Sequence, residues 1–230
     1  AHSVHGEDGL GGAKISREEG KVWWQSYAGP ADELITKRAR QNSGEMTLIA
    51  TGPLTNLALA IRKDPEGMRK LREVVIMGGA VRIGGNITPH AEFNFFSDPL
   101  AAQIVLESGL PITLVPLDVT HRVSLTSRRM EGRVRPIDNS FSRFVIEATG
   151  YDSATHQFRN RELIHLHDPL AVGVVINPDL VRTEKLSLTV ETQEGEGYGK
   201  IVEGSGGTEI DVCLGVDAER FLELFLSKLG

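Results

Sequence analysis

Short apolar runs ending on glycine or a turn recur along this chain, each followed by a stretch with apolar residues at helical spacing. Met46 to Ala50 is one such run, and Thr51-Gly52-Pro53 leads from it into Leu54, Leu57, Ala58 and Ile61. Val74 to Met77 is the next, ending at Gly78-Gly79, and Ile112 to Val115 is another. The uninterrupted apolar run Val74–Met77 suits a strand covered on both faces, whereas a half-exposed strand alternates. Pro30 to Gln41 and Met68 to Arg72 read as helical. Asp98-Pro99 supplies a cap and a first-turn proline for a helix that stops at Gly109, and His167-Asp168-Pro169 opens another. Strand, loop and helix in repetition predict a parallel sheet with right-handed crossovers.

Two regions differ. TSRRMEGRVR and SFSRFVIEATG, between residues 126 and 165, are mostly polar candidate helices. Beyond Asn177-Pro178, Glu184 to Thr192, Gly199 to Val202 and Ile210 to Val216 read as antiparallel strands, and DAERFLELFLSKL closes the chain as an amphipathic helix. The expected fold is α/β, an open, mostly parallel, Rossmann-like sheet flanked by helices, with a small antiparallel element near the C-terminus.

The chemistry concentrates after Val74–Met77. Asn86, Glu92 and Asn94 fall within nine positions, among Ile87, Pro89, Ala91, Phe93 and Phe95. An Asn alone commonly caps a turn or helix. Two amides and a carboxylate set in apolar surroundings after a buried strand instead suit a polyol pocket, where each hydroxyl needs both donor and acceptor.

Composition narrows the partners. At 230 residues with 40% hydrophobic and 24% charged, the chain can bury one good core, and a single domain over 1–230 is expected. A net charge of −6 disfavours nucleic acid and anionic membranes. Cys213 is the only cysteine, which excludes an intrachain disulfide and a thiolate metal cage. No apolar run reaches transmembrane length, and a cytoplasmic location is expected.

The stretch MGGAVRIGGNITPHAEFNFFSDPLAA resembles the central signature of the inosine–uridine-preferring nucleoside hydrolases, calcium-dependent enzymes of purine and pyrimidine salvage that cut the N-glycosidic bond of ribonucleosides. VHGEDGLGG at Val4–Gly12, ATGPLTNLA at Ala50–Ala58 and HDPLAV at His167–Val172 match in the same order. The resemblance implies that Asn86 and Glu92 hold the ribose 5′-hydroxyl and Asn94 its 2′/3′ side, with Met77 beneath the sugar. It also implies that Asp168 and the Thr51 carbonyl hold Ca2+, that Asp168 touches the ribose, and that His167, with His5, faces the base. Tyr151, His156 and Phe158 are candidates for a flap over the base. For each there is a plainer reading: Thr51 as a helix cap, His5 as a surface histidine, the aromatics as packing. A homodimer or homotetramer is implied as well.

The family's Asp-rich DxDPGxDD loop does not occur in this chain, and the resemblance implies that the chain starts inside the family pattern, without the family's first strands. Two ligands cannot retain an ion that takes 6–8 oxygens. These residues alone are therefore expected to bind calcium poorly and turn over little. The competing readings are an inactive ribose- or nucleoside-binding module and a nicotinamide-dependent oxidoreductase. The second is disfavoured because no GxGxxG follows a strand.

Overall fold

The computed structural model describes residues 27–149 and 163–230, together with Ala13. In chain order its elements are α1 Ala31–Gln41, β1 Thr47–Ala50, α2 Thr55–Lys63, α3 Pro65–Met68, β2 Glu73–Met77, α4 Phe93–Ser97, α5 Pro99–Leu106, β3 Ile112–Val115 and α6 Leu117–Thr120. Then come β4 Ser124–Thr126, α7 Ser127–Arg129, α8 Ser140–Ala148, β5 Leu163–His165, α9 His167–Ile176, β6 Val181–Val190, β7 Ile201–Glu203, β8 Thr208–Val216 and α10 Ala218–Leu229. The contacts divide the chain into two compact units.

The larger unit comprises Tyr27–Arg122 and His167–Ala218. Its six-stranded sheet has the order β1-β2-β3-β8-β6-β7. β1, β2, β3 and β8 run parallel, while β6 pairs antiparallel with both β8 and β7. The sheet is thus mostly parallel α/β, and the antiparallel C-terminal strands extend it rather than standing apart. Val74, Val75 and Ile76 are fully buried, as expected of a strand with neighbours on both edges and helices on its faces. Leu54, Leu57, Met68, Phe95, Val105, Leu114, Leu188 and Val212 join the same core. Because Ala50 pairs with Ile76 and Met77 with Val115, the carboxyl ends of the parallel strands finish on one rim, where open α/β sheets place their ligands.

Local sequence explains the helix starts. Asp98 caps α5 by accepting the Ala101 N–H at 3.0 Å and also accepts the Thr55 hydroxyl at 2.6 Å, so it acts structurally. Asp64 caps α3 in the same way, with Pro65 at the first position. That helix ends at Met68, so the helix expected over Met68–Arg72 lies one turn earlier, started by the Asp-Pro pair.

The smaller unit includes Val123–Leu166 and Glu219–Gly230. β4 and β5 form a separate antiparallel pair, with Leu125 opposite Ile164. The helix expected over TSRRMEGRVR is broken into α7, a π-helical segment Met130–Val134 and a 3-10 turn Arg135–Ile137. Gly132 and Pro136 within this stretch account for the loss of a regular α-helix. Among the described residues no helix is long and apolar enough to cross a membrane.

Candidate functional site

β2 delivers the chain to the rim at Gly78-Gly79, and both glycines are required there. A Cβ on Gly78 would lie 2.8 Å from the Phe95 ring, and Gly79 has φ +76°, a conformation side chains rarely adopt. The loop that follows is fastened internally. Thr88 accepts the Ala91 N–H at 2.9 Å, and a Cβ on Gly85 would strike the Ala91 carbonyl. It returns to the rim at Glu92, which caps α4.

Glu92 is only 2% exposed. Its Oε1 accepts the Asn94 N–H at 2.9 Å, while Oε2 accepts those of Gly79 at 2.9 Å and Phe95 at 3.2 Å. A carboxylate has about four acceptor directions, so roughly one remains for a ligand hydroxyl. Burial pushes this carboxyl above its ordinary range; the three backbone N–H groups pull it down, and the charge of Asp168 pushes it up again. Glu92 and Asp168 are therefore within electrostatic reach of each other.

Asn94 is also buried. Its amide nitrogen donates to the Met77 carbonyl at 3.1 Å and approaches the Met77 sulfur at 3.5 Å, which leaves its carbonyl oxygen to accept from a ligand. Asn86 is the complement, since its Oδ1 accepts the Phe93 N–H at 2.9 Å and its NH2 remains to donate. Each amide thus spends part of its hydrogen-bonding capacity on holding this segment in shape.

α9 rests on β2 and on α6. Its first residue, His167, has Nδ1 2.8 Å from the Thr120 hydroxyl of α6. The rings of His167 and His121 meet edge-on, 5.6 Å between centroids. Burial pushes the His121 imidazole below its ordinary value, opposed by the Asp118 charge. Asp118 in turn accepts the Val81 and Arg82 N–H groups, both at 2.9 Å, tying α6 to the loop that leaves β2. Asp168, in the first turn of α9, is exposed and sits where the helix dipole favours a carboxylate.

The structure thus gathers Met77, Glu92, Asn94 and Asp168 in one neighbourhood, with Asn86 joined through Phe93 and His167 through the packing of α9 on β2. Thr51 is placed only by its strand, directly after β1 and exposed. His5, Tyr151, His156 and Phe158 lie outside the described residues. Thr120 and His121 had no role in the sequence reading, and Asp118 had no specific one. The only signal for them was a polar cluster, PLDVTHR, directly after a buried strand.

The fit of calcium can be tested on the donors. Among the described residues no group of three or more His, Cys, Asp or Glu side chains is arranged to hold a metal. Glu92, the carboxylate beside Asp168, is already engaged by three N–H groups and is pushed toward its neutral form. Asp168 with the Thr51 carbonyl falls well short of the 6–8 oxygens calcium takes. These residues do not form a calcium site by themselves.

Comparison with known proteins is consistent along the whole chain. The family model described as inosine-uridine preferring nucleoside hydrolase matches residues 1–223. The pyrimidine-specific ribonucleoside hydrolase RihA of Shewanella sp. (strain MR-7) is 36% identical over 237 residues, covering 100% of this chain and 73% of that protein. Among solved structures, a plant nucleoside hydrolase, PpNRh1, superposes with a TM-score of 0.84 at 27% identity, covering 100% of this chain and 74% of the other. The purine-preferring ribonucleoside hydrolase from Gardnerella vaginalis also gives 0.84, at 29% identity, with coverages of 99% and 72%.

Proposed function

Because this chain belongs to the inosine-uridine preferring nucleoside hydrolase family, we propose that it hydrolyses the N-glycosidic bond of ribonucleosides, releasing ribose and the free base. The observation that carries the reading is the convergence of Glu92, Asn94 and Met77 with Asp168 at the carboxyl rim of the sheet. A pentose fits such a place. One hydroxyl donates to Asn94 Oδ1, another to the remaining acceptor direction of Glu92, and the Met77 side chain offers an apolar floor.

In the reaction, the C1′–N bond breaks with its electron pair going to the base, and water adds to C1′. Positive charge builds on the ribose ring and negative charge on the base. The carboxylates of Glu92 and Asp168 offset the first, and burial strengthens the effect of Glu92. A hydrogen bond from the His167 ring N–H stabilises the second, and the base takes its proton from solvent. Water that attacks C1′ gives up its second proton to a carboxylate or to solvent.

The test is to incubate the protein with uridine and with inosine, and to measure reducing sugar and free base. Equimolar ribose and base, with activity lost on Asn94→Ala, supports the proposal. Tight nucleoside binding without release of sugar would identify a binding module instead. The relatives' names divide between pyrimidine-specific and purine-preferring, and running both substrates decides between them here.

A further inference from the structure

We propose that Thr120 is a positioning residue that holds the neutral His167 ring as its Nε2–H tautomer, so that the nitrogen away from the core presents an N–H that donates a hydrogen bond to the departing base. Only the last step, the hydrogen bond to the base, rests on the reading of this chain as a nucleoside hydrolase. The tautomer assignment stands on geometry.

Thr120 is fully buried at the end of α6, and its backbone N–H donates to the Pro116 carbonyl at 3.2 Å. Its hydroxyl oxygen lies 2.8 Å from His167 Nδ1. Among the described residues this is the one hydrogen-bond partner of that hydroxyl. Two arrangements satisfy the distance. In the first, Nδ1–H donates to the threonine oxygen, and the buried hydroxyl proton is left with no acceptor. In the second, the hydroxyl donates to the Nδ1 lone pair and no buried donor is stranded. Leaving a buried donor unmade is the costlier choice, so the second holds. A neutral imidazole carries one proton. With Nδ1 as acceptor, that proton is on Nε2.

The surroundings fix the pair. Asp118, two residues before Thr120, is pinned by the Val81 and Arg82 N–H groups, which sets the position of α6. The edge-on contact of His121, at 5.6 Å, limits rotation of the His167 ring. A hydrogen bond on one ring nitrogen commonly decides which proton the other carries.

The direct test is long-range proton–nitrogen correlation on the protein labelled with 15N-histidine, at a pH where His167 is neutral and with the His167→Asn spectrum for assignment. The expected pattern is an unprotonated Nδ1 and a protonated Nε2; a protonated Nδ1 overturns the proposal. Thr120→Val, which keeps shape and removes the donor, is expected to mix the tautomers. It is also expected to lower kcat by roughly tenfold, on the order of one neutral hydrogen bond, with KM changed by less than about twofold. Thr120→Ser is expected to restore both. An unchanged kcat in a folded Thr120→Val protein overturns the positioning role, and if that variant does not fold, the wild-type spectrum still decides the tautomer. A protein with no nucleosidase activity but the Nε2–H pattern rejects the enzymatic reading while leaving the role of Thr120 intact.

Discussion

Glu92→Gln separates two effects that act in opposite directions on one buried group. Keeping an ionised carboxylate in this site costs several kcal/mol in lost hydration. Each N–H donated to it, from Gly79, Asn94 and Phe95, contributes about 1.5–3 kcal/mol as a bond to a charged group. Three such bonds nearly cancel the penalty, and the raised carboxyl, whose largest cause is burial, shows that the penalty keeps the edge. Glutamine removes the charge, preserves one carbonyl acceptor for the Gly79 and Phe95 N–H groups, and loses the bond from Asn94, roughly 1 kcal/mol. The expected stability at neutral pH is therefore within about 1 kcal/mol of wild type. Glu92→Ala, which strands all three donors, is expected to lose on the order of 3–5 kcal/mol.

The pH dependence has a definite sign. The folded state holds the Glu92 proton to higher pH than the unfolded chain, whose carboxyl titrates near its ordinary 4.5. More protons bound in the native state means that stability falls as pH rises. The contribution is complete below 4.5 and is lost as pH rises through the folded value, whereas glutamine has nothing to titrate. Urea unfolding of both proteins from pH 4.5 to neutrality should show the wild-type margin over Glu92→Gln shrinking with pH, at constant m-value. A margin that grows with pH, or a loss above about 2 kcal/mol at neutral pH, would falsify the balance described. Activity should fall in both variants, because the ribose loses an anionic acceptor in either case.

Three other outcomes are expected. Asp118→Ala removes the acceptor for two N–H groups and should cost about 2–4 kcal/mol in urea unfolding, less than the buried maximum because Arg82 is exposed to water. Gly79→Ala imposes a side chain at φ +76° and 2.3 Å from the Ile201 Cδ1 atom; a loss of about 1–3 kcal/mol is expected by the same assay. The buried Cys213 thiol, pushed up to about 12 chiefly by burial, should react with a thiol reagent only on unfolding, with labelling that tracks the denaturation curve.

How much of this was legible in the sequence varied with how local the cause was. β2 was readable because a strand buried on both faces leaves an uninterrupted apolar run, Val74–Met77; β1 and β3 were readable as short, mostly apolar segments broken only by Thr47 and Thr113. Asp98-Pro99 was readable because a cap needs only its own next three residues. β6 begins at Val181, earlier than the pattern placed it, because its first residues, Arg182, Thr183 and Lys185, face solvent. They owe their strand geometry to pairing with β8. Within the candidate site, the cluster from Asn86 to Asn94 stood out as chemistry in apolar surroundings. What stayed hidden was the direction of each amide, since the donation from Asn94 to Met77 spans 17 residues. The pairing of Thr120 with His167 spans 47, and only the packing of α9 against α6 creates it.

The most direct measurement is a crystal structure with ribose or a slowly cleaved nucleoside bound. The pentose ring is expected over the Met77 side chain, with one hydroxyl within hydrogen-bond distance of Asn94 Oδ1 and another on a Glu92 oxygen, and with Asp168 facing the same sugar. A pentose bound elsewhere, leaving Glu92 and Asn94 in contact only with their own backbone, would contradict the central claim.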